Sequence, residues 1–331
     1  TLPGPFEWDL KRLTTSIHVL SDAEQLSGSC GEDAATAVLT AYRKAMRRYA
    51  RTGELDIWYD RITADVPLKG LTSEYAESAT VDIEKKARKR THHGTVRQLV
   101  TNESGQRRII RDPMKRVDEG MDAEQQILAY NQVYDTYLAS IPPHLRRLVE
   151  RFQRVDSVRQ IVGVGSVGMR VWLHLLEGDS GRQPLFSQVK QATASVYEEF
   201  LGASEFTNHG ERVVAGQRLM QSASDIFLGH MRVDEHDYYV RQFRDMKIIP
   251  SGKEISGYLP QFAAACGLAL AKSHARSGDP AAIAAYIGTG DAFADGILAF
   301  SRAYAEQTRV DHAELRAALA SGEIEGAERA W

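Results

Sequence analysis

The sequence lacks the features that define several classes of protein. It contains only two cysteines, Cys30 and Cys266, which excludes a disulfide scaffold and a cysteine-based zinc site and favours a reducing compartment. No apolar run approaches the roughly 18 residues that a membrane span needs, and no secretory segment opens the chain. The formal net charge of -3 gives no overall attraction to nucleic acid or to acidic membranes. We therefore expect a cytoplasmic protein with neither a membrane nor a nucleic-acid partner.

Sequence motifs of several enzyme classes are missing too. The chain has no Gly-x-Ser-x-Gly nucleophile elbow, no His-Glu-x-x-His zinc motif and no Walker A lysine motif. It starts with Thr1, Leu2 and Pro3 rather than with a methionine, so we expect it to be part of a longer sequence.

Length and composition indicate an ordinary folded protein with two parts. At 331 residues, with 43% hydrophobic and 26% charged residues, the chain can bury a sizeable core. Helical periodicity dominates residues 1–155 and returns over 249–331, whereas residues 156–248 are rich in strand-like runs. We expect an α+β protein in which the two outer segments form a mostly helical large lobe and the middle forms a small antiparallel β lobe.

A glycine-rich stretch in the strand region is the strongest functional signal. Gly163, Gly165 and Gly168 surround Ser166, and such a turn lets backbone N–H groups approach a phosphate closely. If a helix followed, the stretch would be a dinucleotide fingerprint whose helix N-terminus holds a pyrophosphate. If a strand followed, it would be the flap of a protein-kinase-like nucleotide site. If the stretch binds no phosphate, we interpret it as a tight turn.

The residues after the glycines favour the kinase-like possibility. Apolar and other side chains alternate over 171–176, residues 177–181 are dense in turn formers, and residues 185–189 resume a β-like run. This order predicts a hairpin rather than a helix. It therefore favours a nucleotide flap over a dinucleotide-binding oxidoreductase.

A lysine and a carboxylate would complete the nucleotide side of such a site. Lys190 lies one hairpin beyond Gly168, where a strand-borne lysine would reach the α- and β-phosphates. The carboxylate that we expect to pair with it is Glu198, with Glu199 and Glu211 as rivals. Without a nucleotide site, Lys190 would be an ordinary surface lysine.

Arg241 is a further candidate for contact with phosphate. It lies in a charged cluster around the last predicted strand, for which a solvated strand end is the alternative interpretation. The predicted strands are 160–165, 169–176, 185–190, 226–233 and 238–243, with a helix over 209–221 after the third. Elsewhere we predict helices within 1–20, 32–51, 122–140, 144–153, 192–201, 258–276, 280–287, 291–307 and 311–320, and a small hairpin over 96–110.

The catalytic half of a kinase site is not evident. A kinase needs an aspartate that accepts the hydroxyl proton, an asparagine shortly after it, and a second aspartate that holds Mg²⁺. The nearest candidate runs from His274 to Asp279, but Ala284 stands where the asparagine would be and no Asp-Phe-Gly-like segment follows. We expect instead that His274 ends a helix and that Asp279 caps the next one. Whether the chain is an enzyme therefore stays open.

Several sequence blocks resemble one family over nearly the whole chain. They are LPGPFEWDLKRL (2–13), KARKRT (86–91), VGVGSVG (162–168), NHGERVVAGQRLMQSASDIFLG (208–229), DYYVRQFRDMK (237–247) and LAKSHARSGD (270–279). In this order they are similar to the bacterial family known as domain of unknown function twenty-two fifty-two, for which no reaction is established.

The resemblance also implies a fold and an activity. In full-length family members, the segment before PGPFEWDLKRL resembles the catalytic loop and Asp-Phe stretch of aminoglycoside-phosphotransferase-like kinases, and Trp8-Asp9-Leu10 would start the helix that follows. The implied fold is a circularly permuted, two-lobed, protein-kinase-like fold whose catalytic segment precedes this chain. The resemblance implies ATP and Mg²⁺ as cofactors and phosphoryl transfer to a small molecule.

Three functions remain open from the sequence. The first is an ATP-dependent phosphotransferase that acts on an unknown small molecule. Its nucleotide-binding residues would be Gly163, Gly165, Ser166, Gly168, Lys190, Glu198 and Arg241. The second is a non-catalytic nucleotide-binding or regulatory pseudokinase, and the third is a scaffold that binds no nucleotide.

Overall fold

The fold combines a helical body with a six-stranded antiparallel sheet. The computed structural model describes residues 2–62, 92–103, 105–118, 134–161, 168–178, 184–221, 223–243 and 250–324. The helices of the body come from both ends of the chain and the sheet comes from its middle. The α+β class that the sequence predicts is therefore confirmed.

The helices are named here in chain order. They are α1 (Phe6–Ala23), α2 (Cys30–Tyr49), α3 (Glu54–Tyr59), α4 (His92–Leu99), α5 (Pro143–Val149), α6 (Glu198–Leu201), α7 (His209–Met220), α8 (Gly252–Ile255), α9 (Leu259–Ser277), α10 (Pro280–Ile287) and α11 (Ala292–Ser321). The body consists of α1 to α3 and α8 to α11. Helix α10 has the predicted bounds. The side chain of Asp279 caps it, as predicted, by accepting hydrogen bonds from the backbone N–H groups of Ala281 and Ala282.

The last helix is longer than the sequence predicts. Helix α11 is continuous from Ala292 to Ser321, where the sequence predicts two shorter helices. Residues 308–310, at the expected break, include neither proline nor glycine. The hydroxyl of Thr308 donates to the carbonyl oxygen of Tyr304, one turn earlier and 2.8 Å away. Because no residue here lacks a backbone N–H group or has the backbone freedom of glycine, the helix continues through this position.

Close packing of α2 against α9 forms the centre of the body. Gly267 lies so near α2 that a Cβ atom at this position would be 2.4 Å from the carbonyl oxygen of Val38. The core around this contact includes the fully buried side chains of Leu10, Met46 and Leu259. Burying a side chain of this size contributes about 1.5–3 kcal/mol to stability.

A chain of polar side chains joins three helices of the body. The Tyr42 hydroxyl on α2 is 2.8 Å from Nδ1 of His274 on α9, and Nε2 of His274 is 3.1 Å from a carboxylate oxygen of Asp9 on α1. A carboxylate only accepts hydrogen bonds, so Nε2 carries the proton, and in the neutral ring Nδ1 accepts from the Tyr42 hydroxyl. His274 lies in the last turn of α9, as predicted, and its contacts stabilise the packing of the three helices.

The strands form one large sheet and one separate hairpin. The hairpin consists of β1 (Val100–Glu103) and β2 (Gln106–Ile109), and the sheet of β3 (Arg116–Val117), β4 (Phe152–Gln160), β5 (Val171–Gly178), β6 (Pro184–Ala192), β7 (Gly229–Val233) and β8 (His236–Gln242). The order across the sheet is β3-β4-β5-β6-β8-β7, with all neighbours antiparallel. The predicted hairpin after the glycines and the helix after the third predicted strand are both confirmed.

Some predicted bounds are wrong. Strand β4 begins at Phe152, before the predicted start at residue 160 and inside a predicted helix. A register shift between Arg154 and Asp156 interrupts the alternation of side chains, so the charged Asp156 is buried. Its carboxylate accepts from the backbone N–H of Ile109 at 2.7 Å and from the Arg111 guanidinium. The sequence of β4 therefore does not show the apolar alternation of a simple strand.

Two shorter elements also differ from the predictions. The first half of the predicted hairpin over 96–110 is the end of α4, and the strand begins only at Val100. Of the helix predicted over 192–201, only α6 is α-helical, and β6 continues to Ala192. The boundary expected between residues 155 and 156 falls within β4.

One face of the sheet carries Lys190 and is called the lysine face. Leu173 and Phe186 are buried on this face against Leu99 of α4 and Ile109 of β2. This apolar cluster covers the part of the face that lies away from Lys190. The part around Lys190 also carries polar side chains, among them Gln188 and Arg241.

The opposite face carries Trp172 and is called the tryptophan face. Residues 134–140, which are helical, and α5 cover its apolar side chains. Val189 and Tyr238 are buried in this layer. The two faces are therefore chemically distinct, because successive residues of a strand point to opposite sides.

Helix α7 makes backbone contact with β8. The side chain of Asn208 caps its N-terminus by accepting from the backbone N–H of Glu211 at 3.0 Å. A Cβ atom on Gly210 would lie 2.1 Å from the carbonyl oxygen of Tyr238, so only glycine permits this approach. The C-terminal end of α7 reaches the helical body, where the Ser273 hydroxyl donates to the carbonyl oxygen of Met220 at 3.1 Å.

Among the helices in the described ranges, none is on its own long and apolar enough to cross a bilayer. Helices α10 and α11 meet the criteria of length and composition only as a pair bent by 84°.

Candidate functional site

The candidate site lies on the lysine face around β6. Lys190 pairs directly with Val171 of β5 on one side and with Tyr239 of β8 on the other. Tyr239 pairs in turn with His230 of β7. Directly opposed residues of antiparallel strands point to the same face. Four strands therefore place one row of side chains across the face, with the half-buried Lys190 in its middle.

Two glutamine side chains hold Arg241 beside this row. Gln188, two residues before Lys190, pairs with Arg241 of β8 and is almost fully buried. Nε of Arg241 donates to Oε1 of Gln188 at 2.9 Å, and Nε2 of Gln188 donates to Oε1 of Gln160 at 2.6 Å. A buried amide whose two ends are both hydrogen-bonded has a fixed orientation. The guanidinium of Arg241 is therefore held on the same face as Lys190.

The two cations give this part of the face a positive potential. The pKa of Lys190 is lowered, first by burial and second by the positive charge of Arg241. No salt bridge joins either side chain to a carboxylate among the residues that the structure describes. An anion bound beside them would favour the charged form of the lysine and relieve the repulsion. The arrangement therefore suits a strongly charged anion such as a phosphate group.

Glu198 has partners other than Lys190. It stands at the start of α6, where its Oε1 accepts from the backbone N–H of Ser195 at 2.8 Å and lies 3.9 Å from Nε of Arg212. The hydrogen bond from Ser195 is the largest cause that lowers the pKa of the Glu198 carboxyl. Arg212 also donates to the carbonyl oxygen of Thr193 at 2.7 Å, so these contacts join α6 and α7 to the end of β6.

The two rival carboxylates are also not in ion pairs with Lys190 in the described structure. Glu199 is exposed on α6. Glu211 lies in the first turn of α7, near His230, where its charge opposes the lowering of the His230 pKa by burial. His230 is two strands from Lys190, or about 10 Å at the usual strand spacing. Glu211 is therefore at the far end of the row that contains Lys190.

Of the glycine-rich stretch, only its last residue falls within the described residues. Gly163, Gly165 and Ser166 lie outside them. Gly168 has a φ of 78°, in the left-handed region that favours glycine, and a Cβ atom there would meet nothing within 4 Å. Backbone conformation rather than crowding therefore accounts for glycine at this position. Gly168 lies shortly before Val171, the residue of β5 that pairs directly with Lys190 of β6.

Gln160 and Gln188 are site residues that the sequence analysis missed. Strand alternation alone places Gln188 on the same face as Lys190, so a polar residue two positions before the lysine was an available signal. Its connection to Arg241 depends on the register between β6 and β8, which the sequence does not give.

The described side chains provide cations for phosphate but no ligand set for a metal ion. Within the described ranges, no group of three or more His, Cys, Asp or Glu side chains could hold a metal. Glu198 and Glu211, the carboxylates discussed above, both lie in the helices between β6 and β7. The described residues therefore include no such group for the expected Mg²⁺.

Comparison with known proteins gives one match. A family model described as "Uncharacterized protein conserved in bacteria (DUF2252)" covers residues 1–318. No curated protein and no solved structure matches the chain. The chemistry of the site therefore has to follow from its own residues.

Proposed function

The chain belongs to this bacterial family, and we propose that it binds the phosphates of ATP on the lysine face as part of a kinase-like phosphotransferase. The observation that carries the proposal is the pair of cations on adjacent strands. Lys190 and Arg241 lie on one face, Arg241 is held by Gln188, and neither has a carboxylate partner among the described residues.

The order of the strands supports the same proposal. The glycine-rich stretch lies between β4 and β5 in the chain, the lysine is on the next strand, and two helices precede the last two strands, of which β8 lies beside β6. This is the order expected for the small lobe of a kinase. In such a lobe the backbone N–H groups of the turn cover the phosphates while the lysine contacts the α- and β-phosphates.

ATP would satisfy the electrostatics of the face better than a carboxylate would. Its phosphates carry several negative charges, enough to neutralise both cations at once. In such enzymes Mg²⁺ neutralises charge on the β- and γ-phosphates, and Lys190 and Arg241 would supply the remaining positive charge. The bound phosphates would return the pKa of Lys190 towards its ordinary value. Phosphoryl transfer to a small molecule is the activity that this arrangement serves best.

Calorimetric titration of ATP with Mg²⁺ tests the proposal. A hydrogen bond to a charged group contributes about 1.5–3 kcal/mol, so Lys190→Ala is expected to weaken ATP binding roughly 10- to 150-fold. Arg159→Ala is the matched control, because it removes a cation from the neighbouring part of the sheet but on the tryptophan face. Equal affinities of the parent protein and Lys190→Ala for ATP would refute the proposal.

A second candidate is nucleotide binding without catalysis. It rests on the same pair of cations, Lys190 and Arg241, and needs none of the catalytic carboxylates of a kinase. The two candidates predict the same binding data and differ in turnover. With the catalytic segment that the resemblance implies present upstream, release of inorganic phosphate from ATP, or its transfer to an acceptor, would exclude the non-catalytic candidate, whereas binding without turnover would support it.

A further inference from the structure

The tryptophan face contains a concave site, separate from the cations of the lysine face. A cavity of about 250 Å³ lies between this face and the chain that covers it. Its aromatic lining consists of Tyr134, Tyr137, Trp172, Phe227 and Tyr238. An apolar cavity of about 150 Å³ is known to admit benzene, so this one has room for a larger body, such as two fused aromatic rings.

The polar groups deep in the cavity are bonded to one another. The Arg154 guanidinium donates to the Ser157 hydroxyl at 2.9 Å, and this hydroxyl lies 2.7 Å from Nδ1 of His174. His174 and Ser157 are buried. With these groups already hydrogen-bonded, the interior favours an apolar body over a polar one.

The mouth of the cavity is positively charged. Arg159 and Arg170 are exposed lining residues and flank Trp172, the first as its direct partner on β4 and the second two residues before it. Neither arginine forms a salt bridge with a carboxylate in the part of the chain that the structure describes. Asp234 also lines the cavity, but it lies in the turn between β7 and β8, beyond β6 from the two arginines. The part of the mouth near Trp172 therefore attracts an anion.

From this combination we propose that the cavity binds an aromatic carboxylic acid. The fused rings would occupy the apolar interior against Trp172 and Tyr238, and the carboxylate would accept hydrogen bonds from Arg159 and Arg170 at the mouth. Aromatic side chains favour such rings through stacked and edge-to-face contacts. Arginine pairs with carboxylates through charge-assisted hydrogen bonds, which are stronger than neutral ones.

The site is separate from the proposed ATP site. Trp172 and Val189 face the cavity, whereas Lys190 and Gln188 alternate with them on the lysine face. The sheet itself therefore lies between the two ligands. Loss of one site leaves the other available, so each proposal can fail without the other.

The test is a calorimetric titration of the full chain with 2-naphthoate and with its neutral analogue 2-naphthamide. We expect saturable binding of one 2-naphthoate per chain, at least tenfold tighter than 2-naphthamide. The double variant Arg159→Ala/Arg170→Ala is expected to lose this preference while keeping its affinity for 2-naphthamide. Lys190→Ala is expected to bind 2-naphthoate like the parent protein.

A variant that fills the cavity gives an independent readout. Ser187 lines the cavity on β6, and Ser187→Phe is expected to abolish binding of both compounds. Circular dichroism checks that it folds; if it does not, the arginine variant decides the outcome alone. Equal affinities for the two compounds in the parent, an unchanged preference in the double variant, or loss of 2-naphthoate binding in Lys190→Ala would each overturn the proposal. So would the absence of saturable binding to the folded parent.

Discussion

Mild acid is expected to destabilise the protein through His174. Burial lowers the pKa of this side chain from 6.5 to about 3 in the folded protein, with the charge of Arg154 adding to the effect and Asp156 opposing it. The unfolded chain therefore binds a proton near pH 6.5 that the folded protein does not bind until about pH 3. Stability from this group is complete above pH 6.5 and falls as the pH decreases towards 3.

The magnitude follows from the two pKa values of His174. One pH unit in this window corresponds to about 1.36 kcal/mol for one proton, so lowering the pH from about 7.5 to about 5 should cost on the order of 2 kcal/mol. Urea denaturation at the two pH values, followed by tryptophan fluorescence, measures the difference. His174→Gln has no such proton, and its pH-dependent loss should be smaller by this amount.

His312→Gln is the matched control, because this histidine is exposed on α11. It should retain the pH dependence of the parent protein. If His174→Gln and the parent lose the same stability between the two pH values, the assignment to His174 is wrong.

Three substitutions test contacts that stabilise the fold, each by its free energy of unfolding in urea. Gly210→Ala places a Cβ atom 2.1 Å from the carbonyl oxygen of Tyr238, and the overpacking should cost about 1–3 kcal/mol. Tyr42→Phe leaves Nδ1 of His274 without the hydroxyl at 2.8 Å and should cost about 1–3 kcal/mol. Asp156→Ala removes the buried carboxylate that accepts from the backbone N–H of Ile109 and from Arg111, and should cost about 1–3 kcal/mol.

Each of these substitutions has a control of the same type at a position without the contact. Gly296→Ala in α11 meets no atom within 4 Å and should stabilise the protein by up to about 1 kcal/mol. Tyr304→Phe and Asp135→Ala alter exposed side chains and should change stability by no more than about 0.5 kcal/mol. A buried substitution that costs no more than its control would contradict the contact assigned to it.

The sequence correctly predicts the secondary-structure elements whose side chains alternate or repeat regularly. The alternation over 171–176 leads to β5 and its hairpin, and the Asp279 cap followed by proline gives the start of α10. The same alternation places Lys190 and Gln188 on one face. Local pattern determines these features because each depends on neighbours in the chain.

The sequence does not predict features that depend on contacts between residues far apart in the chain. The sequence does not predict the start of strand β4, because the buried Asp156 breaks the apolar pattern. Its hydrogen bonds to Ile109 and Arg111 do not follow from any local pattern. The pairing of Glu198 with Arg212 depends on how α6 and α7 pack after β6. The cavity on the tryptophan face depends on the chain that folds over the sheet, and its arginines meet Trp172 only through the register of β4 and β5.

Protection of Lys190 from chemical modification tests the central claim most directly. The lowered pKa of Lys190 leaves more of its amine unprotonated and reactive towards an acetylating reagent. Mass spectrometry would follow acetylation of Lys190 and of the exposed Lys253 as ATP and Mg²⁺ are increased. We predict saturable protection of Lys190 with no effect at Lys253. Acetylation of Lys190 at an unchanged rate in saturating ATP would contradict phosphate binding on the lysine face.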